Sequence, residues 1–347
     1  MEKAAVQEDG LLIPLIDFSK FLNGSPTQKV ETAKAILTGF QTAGFIYLSN
    51  LPIPSSTITD AFRRSAQFFR LPATTKESLA WSTPEANRGY SSPGREKVTN
   101  LTTTADVSAL RTSIPDIKES LEIGRDDEPG HPNHWPSEEE AEADNELAGF
   151  RQAMTSFFAD LAGLHQSVMR AIAVGMNLPS ETHFDRFVDD RDNTLRLLHY
   201  PAVRRDVFAI NPGQVRAGEH TDYGSITLLF QDQRGGLQVQ SPSGAFVDAT
   251  PIEGTCVVNA GDLLARWSND TIRSTVHRVV EPPRREGGEE EAGETYPARY
   301  SIAYFCNPNF KDFIEAIPGT YTTEADKKYE GIYSGEYLVQ RLKATYA

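Results

Sequence analysis

The amino-acid sequence predicts a mainly β fold with packed helices: a sandwich or jelly roll in the C-terminal half, preceded by a mixed, largely helical N-terminal region. Three observations carry that expectation. After Asn193 the hydrophobic period changes to two, in short apolar segments bounded by Gly, Pro, Asn and Asp: LRLLHYP, AGEHTDYGSITLLFQD, GGLQVQSPSGAFVDATP, TCVVNAGDLLARWS, STVHRVVEPP and RYSIAYFCN. Many short strands at such spacing belong to sandwiches and jelly rolls. Before that point apolar residues recur at helical spacing, first Val30, Ala33, Ile36, Leu37 and Phe40, then Leu147, Phe150, Met154, Phe157, Leu161, Leu164, Val168 and Ile172. The 347 residues, 39% of them hydrophobic, suffice for a substantial core.

Taken in order, IPLIDFSKF (13–21) reads as a short strand ending in a turn, followed by the Val30 to Phe40 helix, which Gly44 ends. A strand covers Phe45 to Leu48. Ser56 or Thr57 caps a second helix with Ile58, Phe62 and Phe69 on its apolar face, stopped by Leu71 and Pro72. From Trp81 to about Ile114 periodicity is lost, and NRGYSSPGREK (87–97) is expected to be an ordered loop of the kind that covers sites. The acidic, proline-broken stretch 124–144 reads as a surface excursion; its His131 and His134 lack the helix or Cys partners of a metal site. The long helix that follows ends near Gly175, its Met and Phe serving as core. REGGEEEAGE (285–294) reads as a mobile hairpin loop, and a last helix spans Gly335 to Tyr346. The chain is thus expected to form one domain over 1–347, with a mixed α/β region (1–190), a jelly-roll core (191–310) and a C-terminal extension with a helix (311–347).

Charge and composition exclude several function classes. A net charge of −14 argues against a nucleic-acid polymer, which is held chiefly by Lys and Arg. A free small molecule is the expected partner, with monomer and homo-oligomer both open. The start, MEKAAVQEDG, is charged and no apolar run follows, which predicts neither a secretory signal nor a membrane span, and a cytoplasmic protein. Cys256 and Cys306 sit in apolar, strand-like stretches and are expected to be buried thiols rather than a disulfide.

The chemistry centres on His220-Thr221-Asp222, because residues two apart on a strand face the same way and can bind one ion. With seven His and 48 acidic residues, an H-x-D alone is unremarkable. His277, in STVHRVV on another expected strand, adds a second imidazole. Two imidazoles and a carboxylate make a facial triad with positions left open, suited to Fe(II), although a hydrolytic zinc site uses the same groups. Arg299-Tyr300-Ser301 tips the balance. A guanidinium and a hydroxyl on one strand face can clamp the distal carboxylate of a dicarboxylic acid, whose 2-oxo acid end would chelate the metal.

The order H-T-D, S-T-V-H-R-V, R-Y-S resembles the 2-oxoglutarate/iron(II) oxygenases of the isopenicillin N synthase-like group, and the likeness runs over nearly the whole chain. IPLIDF, GFIYLSN, NRGYSSPGREK, GGLQVQ and NAGDLLARWSND look like that group's fungal members. The resemblance implies a double-stranded β-helix core with helical N-terminal packing. It also implies Fe(II), 2-oxoglutarate and O2, with ascorbate as reductant; iron on His220, Asp222 and His277; and 2-oxoglutarate on Arg299 and Ser301, with a hydrogen bond from Tyr200. Phe246 stands where many relatives carry Trp, a difference expected to matter for packing.

Strand alternation extends the reading to the substrate. If Tyr200 points inward, so do Leu198 and Arg196; if Arg299 and Ser301 do, so do Ala303 and Phe305. Phe305 could equally be core, and Arg196 could pair with an internal carboxylate. A planar, carbonyl-bearing ring such as a pyrimidine would suit both side chains, stacking on Phe305 and accepting from Arg196. Tyr223, Asn87, Gly89 and Tyr90 are candidates for the pocket rim, while His199, of opposite parity to Tyr200, reads as a buried structural histidine. As a whole the sequence is most similar to fungal thymine dioxygenases, which implies oxidation of the methyl of free thymine to 5-hydroxymethyluracil and onward, in pyrimidine salvage. A secondary-metabolite hydroxylase, desaturase or cyclase on the same scaffold is the alternative, and a non-catalytic metal- and ligand-binding sensor a more distant one.

Overall fold

The period-two segments assemble into two sheets that share a cavity between them, in a computed structural model describing residues 2–95, 116–137, 147–210, 214–281 and 295–346. The N-terminal part comprises β1 (Lys3–Glu8), β2 (Leu11–Asp17), α1 (Ser19–Asn23), α2 (Pro26–Thr42), β3 (Phe45–Ser49), α3 (Ser55–Arg70), α4 (Ala73–Ser78), β4 (Gly89–Ser91), β5 (Glu119–Ile123) and α5 (Phe150–Gly175). There follow β6 (Thr194–Tyr200), β7 (Val203–Arg204), α6 (Asp206–Ile210), β8 (Ala217–His220), β9 (Ile226–Gln231), β10 (Leu237–Gln240), β11 (Phe246–Asp248), β12 (Cys256–Ala260) and α7 (Asp262–Trp267). The chain closes with β13 (His277–Val279), β14 (Thr295–Tyr296), β15 (Arg299–Cys306), β16 (Phe313–Ile314), β17 (Ile332–Tyr333) and α8 (Ser334–Tyr346).

The large sheet runs β1-β2-β3-β12-β9-β15-β6-β5-β4 and the small one β11-β10-β13-β8; β7 pairs with β14 and β16 with β17. This is the mainly β, jelly-roll architecture expected, with a correction to the expected helical packing. Strands β1 to β5 extend the large sheet at both ends; β1 and β5 were not foreseen, and β4 lies within the stretch 87–97 expected to be a loop. Alternation along the strands separates two cores. Leu195, Leu197, Leu228, Phe230, Ile302 and Tyr304 face the helices, and Leu198, Tyr200, Val257 and Ala303 face the small sheet.

Local signals explain the helices. Pro26 opens α2 behind a capping box between Ser25 and Gln28. Gly44, at φ +71°, turns the chain out of α2, and a Cβ there would stand 2.4 Å from Thr275 Oγ1. The cap expected from Ser56 or Thr57 is not used. Pro54, its φ near −58°, sets the entry and α3 starts at Ser55 without a side-chain cap. In TCVVNAGDLLARWS only Cys256–Ala260 is strand; Leu263, Leu264 and Trp267 are buried at helical spacing and make Asp262–Trp267 a helix.

Helix α5 buries its apolar stripe as expected, and ties the helical layer to the large sheet through Phe157 against Phe230 (ring centroids 6.0 Å) and Phe158 edge-on to Tyr304 (5.1 Å). Cys256 and Cys306 are buried free thiols whose pKa values burial pushes up. His134 is only half-exposed: its Nδ1 donates toward Leu79 O (3.1 Å) and Ala80 O (3.0 Å), anchoring the 124–137 segment. The expected hairpin loop at 285–294 lies outside the described residues. Among the described residues, no helix is long and apolar enough to cross a membrane. Phe157→Ala is expected to destabilise the protein by about 3 to 5 kcal/mol, read from chemical denaturation; a loss below about 1 kcal/mol would show that the α5 contact is not a main support.

Candidate active site

His220 and His277 sit opposite each other on β8 and β13. Asp222 reaches them differently from the expected strand parity: β8 ends at His220, and Asp222 lies on the loop that follows. Backbone packing holds that loop. Asp262 N donates to Asp222 O (2.8 Å), Gly261 N to Ser225 O (2.9 Å) and Ser225 N to Cys306 O (2.8 Å). The ligating atoms of the three side chains lie within 4.8 Å of one another, with each imidazole Nε2 3.8 Å from Asp222 Oδ1. Metal–ligand distances of roughly 2 Å let one ion span such a gap.

The surroundings orient all three donors. Nδ1 of His220 donates to Gly218 O (2.7 Å) and Nδ1 of His277 to Thr275 O (3.2 Å), which leaves each Nε2 lone pair facing the centre. Asp222 Oδ2 accepts from Thr227 Oγ1 (2.5 Å) and Asn259 Nδ2 (2.7 Å), leaving Oδ1 for an ion. Burial, then the neighbouring His277, push the His220 pKa down to about 3, so it is a neutral ligand at ordinary pH. Burial alone would raise the Asp222 pKa; the two imidazoles and the bonds from Asn259 and Thr227 outweigh it and hold the carboxyl below its usual value. Two imidazoles and a carboxylate fit Fe(II).

One end of the cavity is cationic. Arg299 is 1% exposed; its Nε donates to Gly235 O (2.9 Å), Nη1 to Ser301 Oγ (3.2 Å) and Nη2 to Gln231 Oε1 (3.3 Å), and its guanidinium carbon lies 4.8 Å from the centre of the Tyr200 ring. All these partners are neutral. A buried guanidinium that meets no carboxylate among the described residues is costly, so the site favours an anion. Arg216, fully buried and close to Arg299 although it does not line the cavity, donates to Pro297 O (3.2 Å), while among the described residues its Nε and Nη1 have no hydrogen-bond partner. Burial, then Arg299, push its pKa down to about 10. Parity counted from His220 cannot locate Arg216, because a bulge interrupts the β8–β13 register.

The same cavity is lined by Tyr200, Arg196, Phe305, Tyr223 and Asn87 together with the triad, Arg299 and Ser301. Regular pairing of β15 with β6 brings the first two strands' contributions together: Arg299 opposite Tyr200, Ala303 opposite Arg196 and Phe305 opposite Thr194. Arg196 combines both readings, since it lines the cavity 5.1 Å from the Phe305 ring and also donates from Nε to Oε2 of the fully buried Glu122 (2.8 Å). Asn87, at φ +47°, accepts from Trp81 Nε1 (3.0 Å) and donates to Thr194 Oγ1 (3.3 Å).

Tyr90 and Gly89 do not line this cavity, a correction to the expected rim. Tyr90 pairs with Leu121 of β5 and points to the helix side, where its hydroxyl donates to Glu119 Oε2 (2.5 Å). His199 also faces away, 2.7 Å from Glu119 Oε1 and stacked on Tyr300 at 4.7 Å. Phe246 lies under Arg278 at 3.9 Å, outside the cavity. Among the lining or supporting groups missed are Asn259 and Thr227 beside Asp222, Glu122, Lys118, and Leu338 and Leu342 of α8. Helix α8 is tied to the site by Tyr223, whose hydroxyl bonds Thr345 Oγ1 (2.8 Å) and whose ring lies 4.6 Å from Arg341.

The fold and this constellation define a class: the chain belongs to the 2OG-Fe(II) oxygenase superfamily, and it is a 2-oxoglutarate-dependent dioxygenase that uses Fe(II). Residues 191–308 match that superfamily, and residues 13–138 match the family described as non-haem dioxygenase in morphine synthesis N-terminal. Among solved structures it is similar to the full-length thymine 7-hydroxylase of Neurospora crassa in complex with alpha-KG: 65% identity, TM-score 0.88, 99% of each chain covered. The same protein in complex with alpha-KG and thymine matches at 67% identity and TM-score 0.88, covering 98% of this chain and 99% of that one. More distantly, it is 33% identical over 339 residues to the 2-oxoglutarate-dependent dioxygenase frbA of Dothideomycetidae sp., covering 96% of this chain and 97% of the relative. Asn259→Ala is expected to weaken Fe(II) binding by roughly 10- to 100-fold, the usual effect of removing a group that orients a ligand. Anaerobic metal titration checks this, and unchanged affinity would mean that the bond to Asp222 Oδ2 does not set the ligand's aim.

Proposed function

We propose that this enzyme oxidises the methyl group of free thymine, with 2-oxoglutarate and O2 as cosubstrates and 5-hydroxymethyluracil, succinate and CO2 as first products. The observation that carries the reading is one cavity in which Phe305, Arg196 and Asn87 stand beside the His220, Asp222 and His277 cluster. Likeness to a thymine 7-hydroxylase solved with thymine and with 5-formyluracil supports it.

Fe(II) held by His220, Asp222 and His277 would supply the oxygen-activating, oxidative chemistry. The chain's own residues bind and orient. Arg299 and Ser301 clamp the distal carboxylate of 2-oxoglutarate, with the Tyr200 hydroxyl donating to the same molecule. Arg196 donates to a ring carbonyl, and Glu122 fixes the guanidinium in the donating orientation. The Asn87 amide serves another polar edge of the ring, Phe305 and Tyr223 stack on its faces, and Leu338 and Leu342 exclude water from the substrate side. So held, the methyl group faces the metal. In this reading the enzyme serves pyrimidine salvage.

A substrate panel with mass detection tests the proposal: thymine, uracil, proline and candidate natural products, supplied with Fe(II), ascorbate and 2-oxoglutarate. Formation of 5-hydroxymethyluracil with stoichiometric succinate is the expected result. No product from thymine but brisk oxidation of another compound would replace it with the secondary-metabolite reading, to which relatives such as the proline hydroxylase buaE of Petromyces alliaceus, 34% identical over 336 residues, lend weight. Arg299→Leu is expected to raise the KM for 2-oxoglutarate by about one to two decades, the worth of a charge-assisted contact, with a much smaller change for thymine; an unaltered 2-oxoglutarate KM would put the clamp elsewhere. Phe305→Ala is expected to weaken thymine binding by about 1 to 3 kcal/mol, measured by calorimetry, and an unaffected affinity would remove the stacking role.

A further inference from the structure

Lys118 precedes β5, is 5% exposed, and lines the cavity with the metal cluster. Alternation along the segment sets its direction. Glu119 and Leu121 face the helices, where Glu119 meets Lys76, Tyr90 and His199. Ser120 and Glu122 face the other way, Ser120 Oγ donating to Glu122 Oε1 (2.8 Å) and Glu122 accepting from Arg196. Lys118 shares that cavity side. Strand β5 extends the large sheet past β6, while β8, which carries His220, is the end strand of the small sheet. Lys118 thus approaches the cluster from the sheet opposite to His220, and its charge is felt at that imidazole.

A methyl group offers nothing to an ammonium, and desolvating a cation against an apolar group is unfavourable. Of the other cations that line the cavity, Arg299 serves the cosubstrate and Arg196, paired with Glu122, serves a ring carbonyl. What suits Lys118 is oxygen on the carbon being oxidised. We propose that Lys118 lets the site continue from an apolar substituent to an anionic one, donating to the hydroxymethyl and formyl oxygens and pairing with the final carboxylate. The inference rests on the thymine reading and deepens it. Each turn consumes one O2 and one 2-oxoglutarate and releases succinate and CO2. The methyl becomes hydroxymethyl; the hydroxymethyl becomes formyl with loss of one water; the formyl becomes carboxyl, whose proton leaves to solvent.

The test compares wild-type enzyme with K118M, K118Q and K118R. It reads kcat/KM separately on thymine, 5-hydroxymethyluracil and 5-formyluracil, and the calorimetric affinity of the loaded enzyme for thymine and 5-carboxyuracil. In K118M the 5-formyluracil to thymine ratio of kcat/KM should fall at least about tenfold, and 5-carboxyuracil should lose about ten- to hundredfold more affinity than thymine, the range of a charge-assisted bond. K118R, which keeps the charge, should recover most of both ratios. K118Q, which keeps length and a donor but no charge, should behave as K118M and stands in for it if K118M folds poorly. Equal losses on all three substrates, or an unchanged ratio of 5-carboxyuracil to thymine affinity, would overturn the role of Lys118 alone. Wild-type enzyme inert toward thymine would instead overturn the substrate reading, and this inference with it.

Discussion

The close approach of three backbone segments around Gly224 and Gly261 is the contact on which the site depends. A Cβ on Gly224 would stand 2.2 Å from Cys306 O, and one on Gly261 2.4 Å from Gly224 O, so any larger residue would push the segments apart. Through this junction the loop carrying Asp222 and Tyr223 is held against the end of β15 and the start of α7. One loop thereby sets the carboxylate ligand, a proposed stacking ring and the attachment of α8 through Tyr223 and Thr345. A metal site needs its donors aimed within a few tenths of an ångström, and rigid backbone contacts supply that better than side chains alone.

Charge is distributed along the cavity in a manner that assigns its two ends. At the proposed substrate end Arg196 has an internal carboxylate, Glu122, so the pair can remain buried before anything binds. At the other end, among the described residues, Arg299 meets only neutral acceptors, and Arg216 behind it has two nitrogens without a hydrogen-bond partner. Such an end is stabilised by a dianion more than by a neutral molecule, in keeping with the proposed placing of 2-oxoglutarate there. Between them lies the metal cluster, where Asp222 is kept ionised by its hydrogen bonds and neighbours.

The N-terminal region does more than cover the sheet. Strand β5 serves two environments at once: Glu119 gathers Lys76, Tyr90 and His199 on the helix side, while Ser120 and Glu122 face the site. Asn87 and Lys118 likewise come from before residue 190, and Leu338 and Leu342 from the last helix, so the cavity wall draws on the whole length of the chain.

How much of this was legible in the sequence follows from regularity. Along β6 and β15 the pairing is uninterrupted, and so counting by two from Tyr200 and Arg299 was enough to put Arg196 and Phe305 on the cavity side. Counting had nothing to work from where strands are short or irregular: the strand of His220 ends before Asp222, Tyr90 lies on a three-residue strand with no inward reference point, and Arg216 stands beside a bulge. Strand β5 escaped because both of its faces are buried and ESLEI shows no polar-apolar alternation to betray it. By itself the sequence determined the jelly-roll class, the two imidazoles and carboxylate, and the Arg-x-Ser pair, because these depend on local period and residue chemistry. Only the tertiary structure decided that Glu122 meets Arg196, that Lys118 shares the metal's cavity and that α8 closes over it, because those contacts join residues far apart in the chain, and no local pattern encodes which distant surfaces will pack together.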